Sequence, residues 1–280
     1  MTTPTPVYLD YNATAPIHPQ VADEVALALR LVGNPSSVHQ AGRQARSVIE
    51  EARMRVARLV NANPSEIVFT SGGTEANAMA ILGADAERLI CMASEHSSVL
   101  EPAQHAGKPF ETCPVDNDGL IRLDALRKAL EAGGKALVCV QLANNETGVI
   151  QPVHEVARLV HEYDGLLHMD ATQGVGKIPV DIATLGADFA ALSAHKIGGP
   201  AGVGALIIRK GHDMPALLKG GGQESRRRSG TENLIGIAGF GEAAKIAREE
   251  ISAYAGLARL RDEMEAAILD ASDGKALIYG

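Results

Sequence analysis

Short apolar runs, each closed by glycine or polar residues and most followed by a helix-forming stretch, recur through the middle of this chain. Ile67–Thr70 is stopped by Gly72-Gly73 and followed by helical Thr74–Leu82, and Leu89–Ala93 is followed by Ser97–Gln104. Ala136–Gln141 and Leu166–Asp170 flank helical Val153–Tyr163, and Phe189–Ser193 and Val203–Arg209 complete the series. Apolar strands without polar alternation are buried on both faces, so the pattern predicts an α/β fold: a mixed, mainly parallel sheet with helices on both sides. Crossovers between its parallel strands are expected to be right-handed.

Upstream, a helix is predicted over Val38–Val60, capped by Ser36-Ser37 after Pro35, with Arg43, Arg46, Arg53, Arg55 and Arg58 on a solvated face beside Glu50 and Glu51. Downstream, Leu234 to about Leu269 reads as helix, with a boundary expected near Ser252–Gly256. The closing segment KALIYG, after Asp273-Gly274, reads as a turn and the first strand of a further unit, so the sequence is expected to be cut short there. The resulting division is an N-terminal segment over 1–15, a large domain over 16–255, and the start of a small, incomplete α/β domain over 256–280.

Composition excludes several classes. With 34 acidic against 26 basic residues, a formal charge of −8 argues against nucleic acid or an anionic membrane as partner. No apolar run is long enough to span a bilayer. Cys91, Cys113 and Cys139 have no zinc or CxxC spacing. The opening MTTPTPVYLD has no secretory pattern, and the expected compartment is a reducing cytoplasm.

The chemistry-bearing residues cluster where strands end, which is where open α/β sheets hold ligands. Thr70-Ser71-Gly72-Gly73-Thr74-Glu75-Ala76-Asn77 is a strand, a glycine turn and a helix start: either an anion cradle or an ordinary capped turn. Asp170 with Gln173, after LLHM, can orient a ring-shaped ligand or cap a helix. Lys196, in Ser193-Ala194-His195-Lys196, lies between an apolar strand and a glycine run, where desolvation lowers an amine pKa and makes a Schiff-base nucleophile. Asn144-Asn145 is a turn former or a ligand donor. Gly220–Asn233 is glycine- and arginine-rich, and Glu95-His96 adds an imidazole. A phosphate cradle, an acid for a protonated ring nitrogen, a stacking imidazole and a desolvated lysine together match the needs of pyridoxal phosphate. Cys91 and Cys139 sit inside strand runs and read as buried and inert.

These motifs, with Tyr8-Leu9-Asp10-Tyr11-Asn12-Ala13-Thr14, Gly33-Asn34-Pro35-Ser36-Ser37-Val38-His39 and Arg228-Ser229-Gly230-Thr231-Glu232-Asn233, resemble the class V pyridoxal-phosphate enzymes of fold type I. Within them the chain resembles the NifS/IscS-type cysteine desulfurases. The resemblance implies Lys196 as the lysine bonded to pyridoxal 5'-phosphate and His96 as the imidazole over its ring, assisting acid–base steps. It implies Asp170 on the ring nitrogen, Gln173 on the ring hydroxyl, and Asn145 beside the ring and the substrate carboxylate. Gly73, Thr74, Ser193 and His195 would hold the phosphate, joined by Thr231 from the second subunit of a homodimer. It further implies conversion of L-cysteine to L-alanine, with sulfur passed as an enzyme persulfide to iron–sulfur cluster assembly or another acceptor or scaffold protein. None of the three cysteines matches the family's nucleophile. Other expectations that share these residues are a selenocysteine lyase, an aminotransferase, or an inactive dimeric scaffold that binds the cofactor.

Overall fold

The computed structural model describes residues 6–280. Residues 1–5, part of the expected 1–15 segment and of the stretch read for a leader, lie outside the described residues. Among the described residues seven strands form one sheet: β1 (Ile67–Thr70), β2 (Arg88–Met92), β3 (Phe110–Cys113), β4 (Ala136–Gln141), β5 (Leu166–Asp170), β6 (Phe189–Ser193) and β7 (Gly204–Ile208). Their order is β1-β7-β6-β5-β4-β2-β3. β2 through β6 are parallel, and β7 runs antiparallel between β1 and β6.

Alternation along each central strand divides the core into two faces. Leu137 and Cys139 of β4 face one side with Leu89 and Cys91 of β2, and pack against α3 (Gly73–Gly83) and α4 (Ser97–Gln104). Val138 and Val140 face the other side with Ile90 and Met92. That side is covered by α2 (Gln40–Leu59), α5 (Leu123–Leu130), α6 (Val153–Glu162) and α8 (Leu234–Ala255). Because every β4 side chain is buried, the strand reads as a continuous apolar run. α1 (Pro19–Ala28) lies outside α8, with Val21 packed on Ala243 and Ile246. A one-turn α7 (Ile182–Leu185) precedes β6.

Three local expectations are corrected. The cap of α2 is His39, whose Nδ1 accepts from the Gly42 amide at 3.2 Å, because the chain turns at Asn34–Ser37 before the helix begins. The arginine face of α2 is only partly solvated. Arg53 turns inward to Glu224 and Arg55 to Glu242 of α8, pairings that require the fold. Residues 275–280 form no strand, since no neighbouring strand meets them among the described residues. The helical stretch from Leu234 divides at Gly256, inside the expected interval, and α9 (Leu257–Ala271) follows it with no buried residue.

Candidate active site

The parallel strands all end at one edge of the sheet, and a cleft of about 880 Å³ opens there. Its lining is drawn from the turns after β1, β2, β4, β5 and β6, the start of α3, and the N-terminal strap Asp10–Ala13. Gly73, Thr74, His96, Asn145, Asp170, Gln173, Ser193, His195 and Lys196 all line it. Thr231 does not. It borders a separate cavity of about 120 Å³ with Thr70, Ser71 and Arg228.

At one end of the cleft α3 starts at Gly73 without any side chain capping its first amides. The first turn of a helix leaves its N–H groups without intrahelical partners, and its dipole favours an anion. A Cβ on Gly73 would stand 3.2 Å from Thr172 Oγ1 and 3.4 Å from Ser193 Cβ, so the missing side chain is what keeps this cradle open. Hydroxyls of Thr74 and Ser193 and the imidazole of His195 complete a donor set suited to a phosphate. Ser71 and Arg228 both donate to Glu75, so that acid does not confront the anion with an unpaired charge.

At the end of β5 the Asp170 carboxylate is buried. Its Oδ2 accepts from Asn77 Nδ2 at 2.8 Å and its Oδ1 from the Thr172 amide at 3.0 Å. A carboxylate has about four lone-pair positions, so it keeps capacity for one further donor from the cleft. Asp170 thus makes a local turn and still faces the cleft. The same holds at the β4 end, where Asn144 Oδ1 makes the turn by accepting from the Glu146 and Thr147 amides, each at 2.9 Å, while Asn145 lines the cleft.

Lys196 follows β6 in a tight helical turn closed by Gly198 at φ 75°, a conformation in which a Cβ is costly. Burial holds the Lys196 amine below its ordinary pKa, against the opposing pull of Asp170 and Asp10. Burial, with Lys196 adding repulsion, likewise lowers His195. Lys177 is pushed down to about 8 by burial and by Lys196. Beneath the cleft Glu95 has both carboxylate oxygens buried without a partner among the described residues, and burial together with Asp170 and Cys91 drives its pKa well up.

Several site residues carried no assigned role in the sequence reading. The strap from Tyr8 to His18 crosses the strand ends. The Ala15 amide donates to His195 O at 2.9 Å, and His18 N to Gly198 O at 2.9 Å. The Asn12 carbonyl accepts from Lys196 Nζ and from Gln173 Nε2, and Lys177 Nζ donates to Gln173 Oε1. These contacts fix the Gln173 amide with its nitrogen as the donor. Asn77, Ser98 and His168 form a buried polar group behind Asp170 and His96. The signal in the sequence was the polar Asn77 in a helix turn otherwise made of alanine and methionine.

The residues fit pyridoxal phosphate: an open anion cradle, an acceptor for a protonated ring nitrogen, an oriented amide donor and a partly desolvated lysine share one cleft. No thiol does, since Cys91, Cys113 and Cys139 are all buried in the core. Burial, with Asp124 and Glu111 adding repulsion, pushes Cys113 to about 11, and a hydrogen bond with Cys91 together with burial drives Cys139 well up.

Residues 7–277 match the family model described as aminotransferase class-V. The cysteine desulfurase IscS of Dictyoglomus turgidum is 45% identical over 251 residues, covering 86% of this chain and 64% of that protein. The IscS-like cysteine desulfurase of Mycobacterium tuberculosis is 39% identical, covering 96% of this chain and 72% of its own length. Among solved structures, a NifS-like protein from Rickettsia africae superposes with a TM-score of 0.90 at 37% identity, over 94% of this chain and 75% of that one. The chain thus spans somewhat less than two thirds of the Dictyoglomus relative.

Proposed function

Because the chain belongs to the aminotransferase class-V family, we propose that its cleft holds pyridoxal 5'-phosphate and serves a cysteine desulfurase, releasing L-alanine from L-cysteine. The observation that carries this reading is the convergence of Lys196, Asp170, Gln173 and the Gly73 cradle on one cleft. When bound, the cofactor supplies a protonated ring that withdraws negative charge from the substrate's α-carbon.

The chain's own residues divide the remaining work. Lys196 would anchor the cofactor through its amine, and would later hold the proton removed from the substrate at Nζ. Its lowered pKa leaves more free amine near neutral pH than an exposed lysine has. Asp170 would accept from the ring nitrogen and keep it protonated. Gln173, its oxygen occupied by Lys177, donates from Nε2 to the ring oxygen. The α3 amides, Gly73, Thr74, Ser193 and His195 would hold the phosphate, His96 would face the ring, and Asn145 would meet the substrate carboxylate.

Thr231 would complete the phosphate site of a second copy, making the working unit a homodimer. Its position outside its own chain's cleft supports that reading. The sulfur passes to a thiol that is none of Cys91, Cys113 or Cys139, because all three are buried. It then goes on to an acceptor or scaffold protein, iron–sulfur cluster assembly being one such use. Three free thiols suit a reducing cytoplasm. Among the described residues no helix is long and apolar enough to cross a membrane.

The test loads the purified chain with cofactor, adds L-cysteine with a thiol reductant, and measures alanine and sulfide. Equal amounts of both, unchanged when all three cysteines are replaced by alanine, support the reading. A visible cofactor band that L-cysteine leaves unaltered excludes cysteine as substrate.

A further inference from the structure

His96 begins α4 as its cap, and an imidazole can cap a helix only through an unprotonated nitrogen. The Ser98 amide lies 3.1 Å from His96 Nδ1 and the Ser98 hydroxyl 2.8 Å from it. Whether that hydroxyl donates or accepts is decided one step further back. Asn77 Nδ2 lies 2.9 Å from Ser98 Oγ and 2.8 Å from Asp170 Oδ2. A carboxylate only accepts, so this atom of Asn77 must be the amide nitrogen, and both of its protons are committed. Ser98 Oγ therefore receives a proton from Asn77 and turns its own toward His96. The other end of Asn77 is fixed as well. Its Oδ1 lies 2.8 Å from His168 Nε2, which must carry a proton. His168 is fully buried and its Nδ1 has no partner, and burial drives its pKa to about 4, so it is neutral with that single proton on Nε2.

We propose that Asn77 and Ser98 are positioning residues that hold His96 as the Nε2–H tautomer, with Nδ1 locked as an acceptor. Every donor in the chain from His168 to His96 then points the same way, and no alternative orientation satisfies Asp170. The consequence concerns the cleft, which His96 lines. A ligand approaching the free ring nitrogen meets an N–H, so neutral His96 gives a hydrogen bond there and does not accept one. The same Asn77 amide also orients Asp170, so one buried side chain sets the two groups that would address the cofactor ring. This significance for catalysis rests on the cleft being a cofactor site, whereas the tautomer itself does not.

The experiment uses the cofactor-free protein labelled with 15N-histidine. Long-range proton–nitrogen spectra read the tautomer of each ring, and His96→Gln identifies the His96 signals. The expected wild-type spectrum is dominated by the Nε2–H form, the nitrogen shifts giving the small Nδ1–H fraction. In Ser98→Ala the backbone donor remains but the hydroxyl is lost, and the ratio of Nδ1–H to Nε2–H rises roughly fivefold, the worth of one hydrogen bond. Ser98→Thr keeps the hydroxyl and should restore the wild-type ratio, a rescue that a merely structural role would not produce. Asn77→Ala should act in the same direction as Ser98→Ala, and the variants of Ser98, which borders the cleft, suffice where the Asn77 variant fails to fold. An Nδ1–H tautomer in the wild type, or an unchanged ratio in Ser98→Ala, overturns the proposal. Failure of the protein to bind pyridoxal phosphate would overturn the reading of the cleft while leaving the tautomer result standing.

Discussion

Removing the Glu224 carboxylate tests how the loop between β7 and α8 is held. Glu224, Ser225 and Arg226 have φ of 44°, 56° and 67°, three successive non-glycine residues in the left-handed region. At about 1–2 kcal/mol each, the strain totals roughly 3–6 kcal/mol. What holds it is a two-pronged ion pair: Arg53 Nη1 and Nη2 each lie 2.8 Å from a Glu224 oxygen, and the Phe69 amide donates to the same carboxylate at 2.9 Å. The Glu224 side chain is 3% exposed and that of Arg53 11%, so deleting one partner strands a buried charge. Such losses run to about 3–5 kcal/mol. The loop can relax once released and recover part of its strain, so Glu224→Ala should cost about 2–3 kcal/mol net. At about 2–4 °C per kcal/mol, the melting temperature should fall by roughly 5–10 °C. Calorimetry on a double cycle then separates the two contributions. Ser225→Gly should stabilise the wild type by about 1 kcal/mol, and should gain much less once Glu224 is alanine, because the strain has already gone. An unchanged melting temperature in Glu224→Ala, or equal gains from Ser225→Gly in both backgrounds, would refute this account.

Three further outcomes are expected. Burial pushes His168 from its ordinary 6.5 down to about 4, so between those values the unfolded chain binds a proton that the folded one refuses. Stability should therefore fall as pH drops through that window, by about 1.4 kcal/mol per unit at its steepest, and denaturant titrations of His168→Gln should lose that slope. Gly73→Ala should weaken cofactor binding roughly tenfold by overpacking the cradle, while thermal stability holds or rises because alanine suits a helix start better; equal affinity would show that the cradle is not the phosphate site. Asp170→Asn should retain the cofactor yet slow exchange of the substrate's α-proton with solvent by about 10²-fold or more, and wild-type exchange would remove Asp170 from its role.

The central strands were legible because burial on both faces leaves an apolar run with nothing polar to interrupt it, and their observed limits differ from the expected ones by about one residue. β3 was not: its pattern, with Glu111 and Thr112 exposed, is that of a polar edge strand. The cleft residues that follow strands were legible for the same reason, since a polar cluster at the end of an apolar run has one place to go. Partners across the fold left no such trace. Asn77 bonds residues 21, 91 and 93 positions away, and the strap at Asn12 meets residues more than 130 positions on. No periodicity encodes these pairings. Composition could not separate a solvated arginine from Arg53, whose acid lies 171 residues downstream.

The most direct measurement fixes the cofactor where it sits. The chain is loaded with pyridoxal phosphate, reduced with borohydride so that any link to an amine becomes permanent, digested, and mapped by mass spectrometry. The modification should fall on Lys196, with the visible absorption of the loaded protein absent in Lys196→Ala. Modification on Lys177, the other desolvated lysine beside Asn12, or labelling spread over surface lysines, would contradict it.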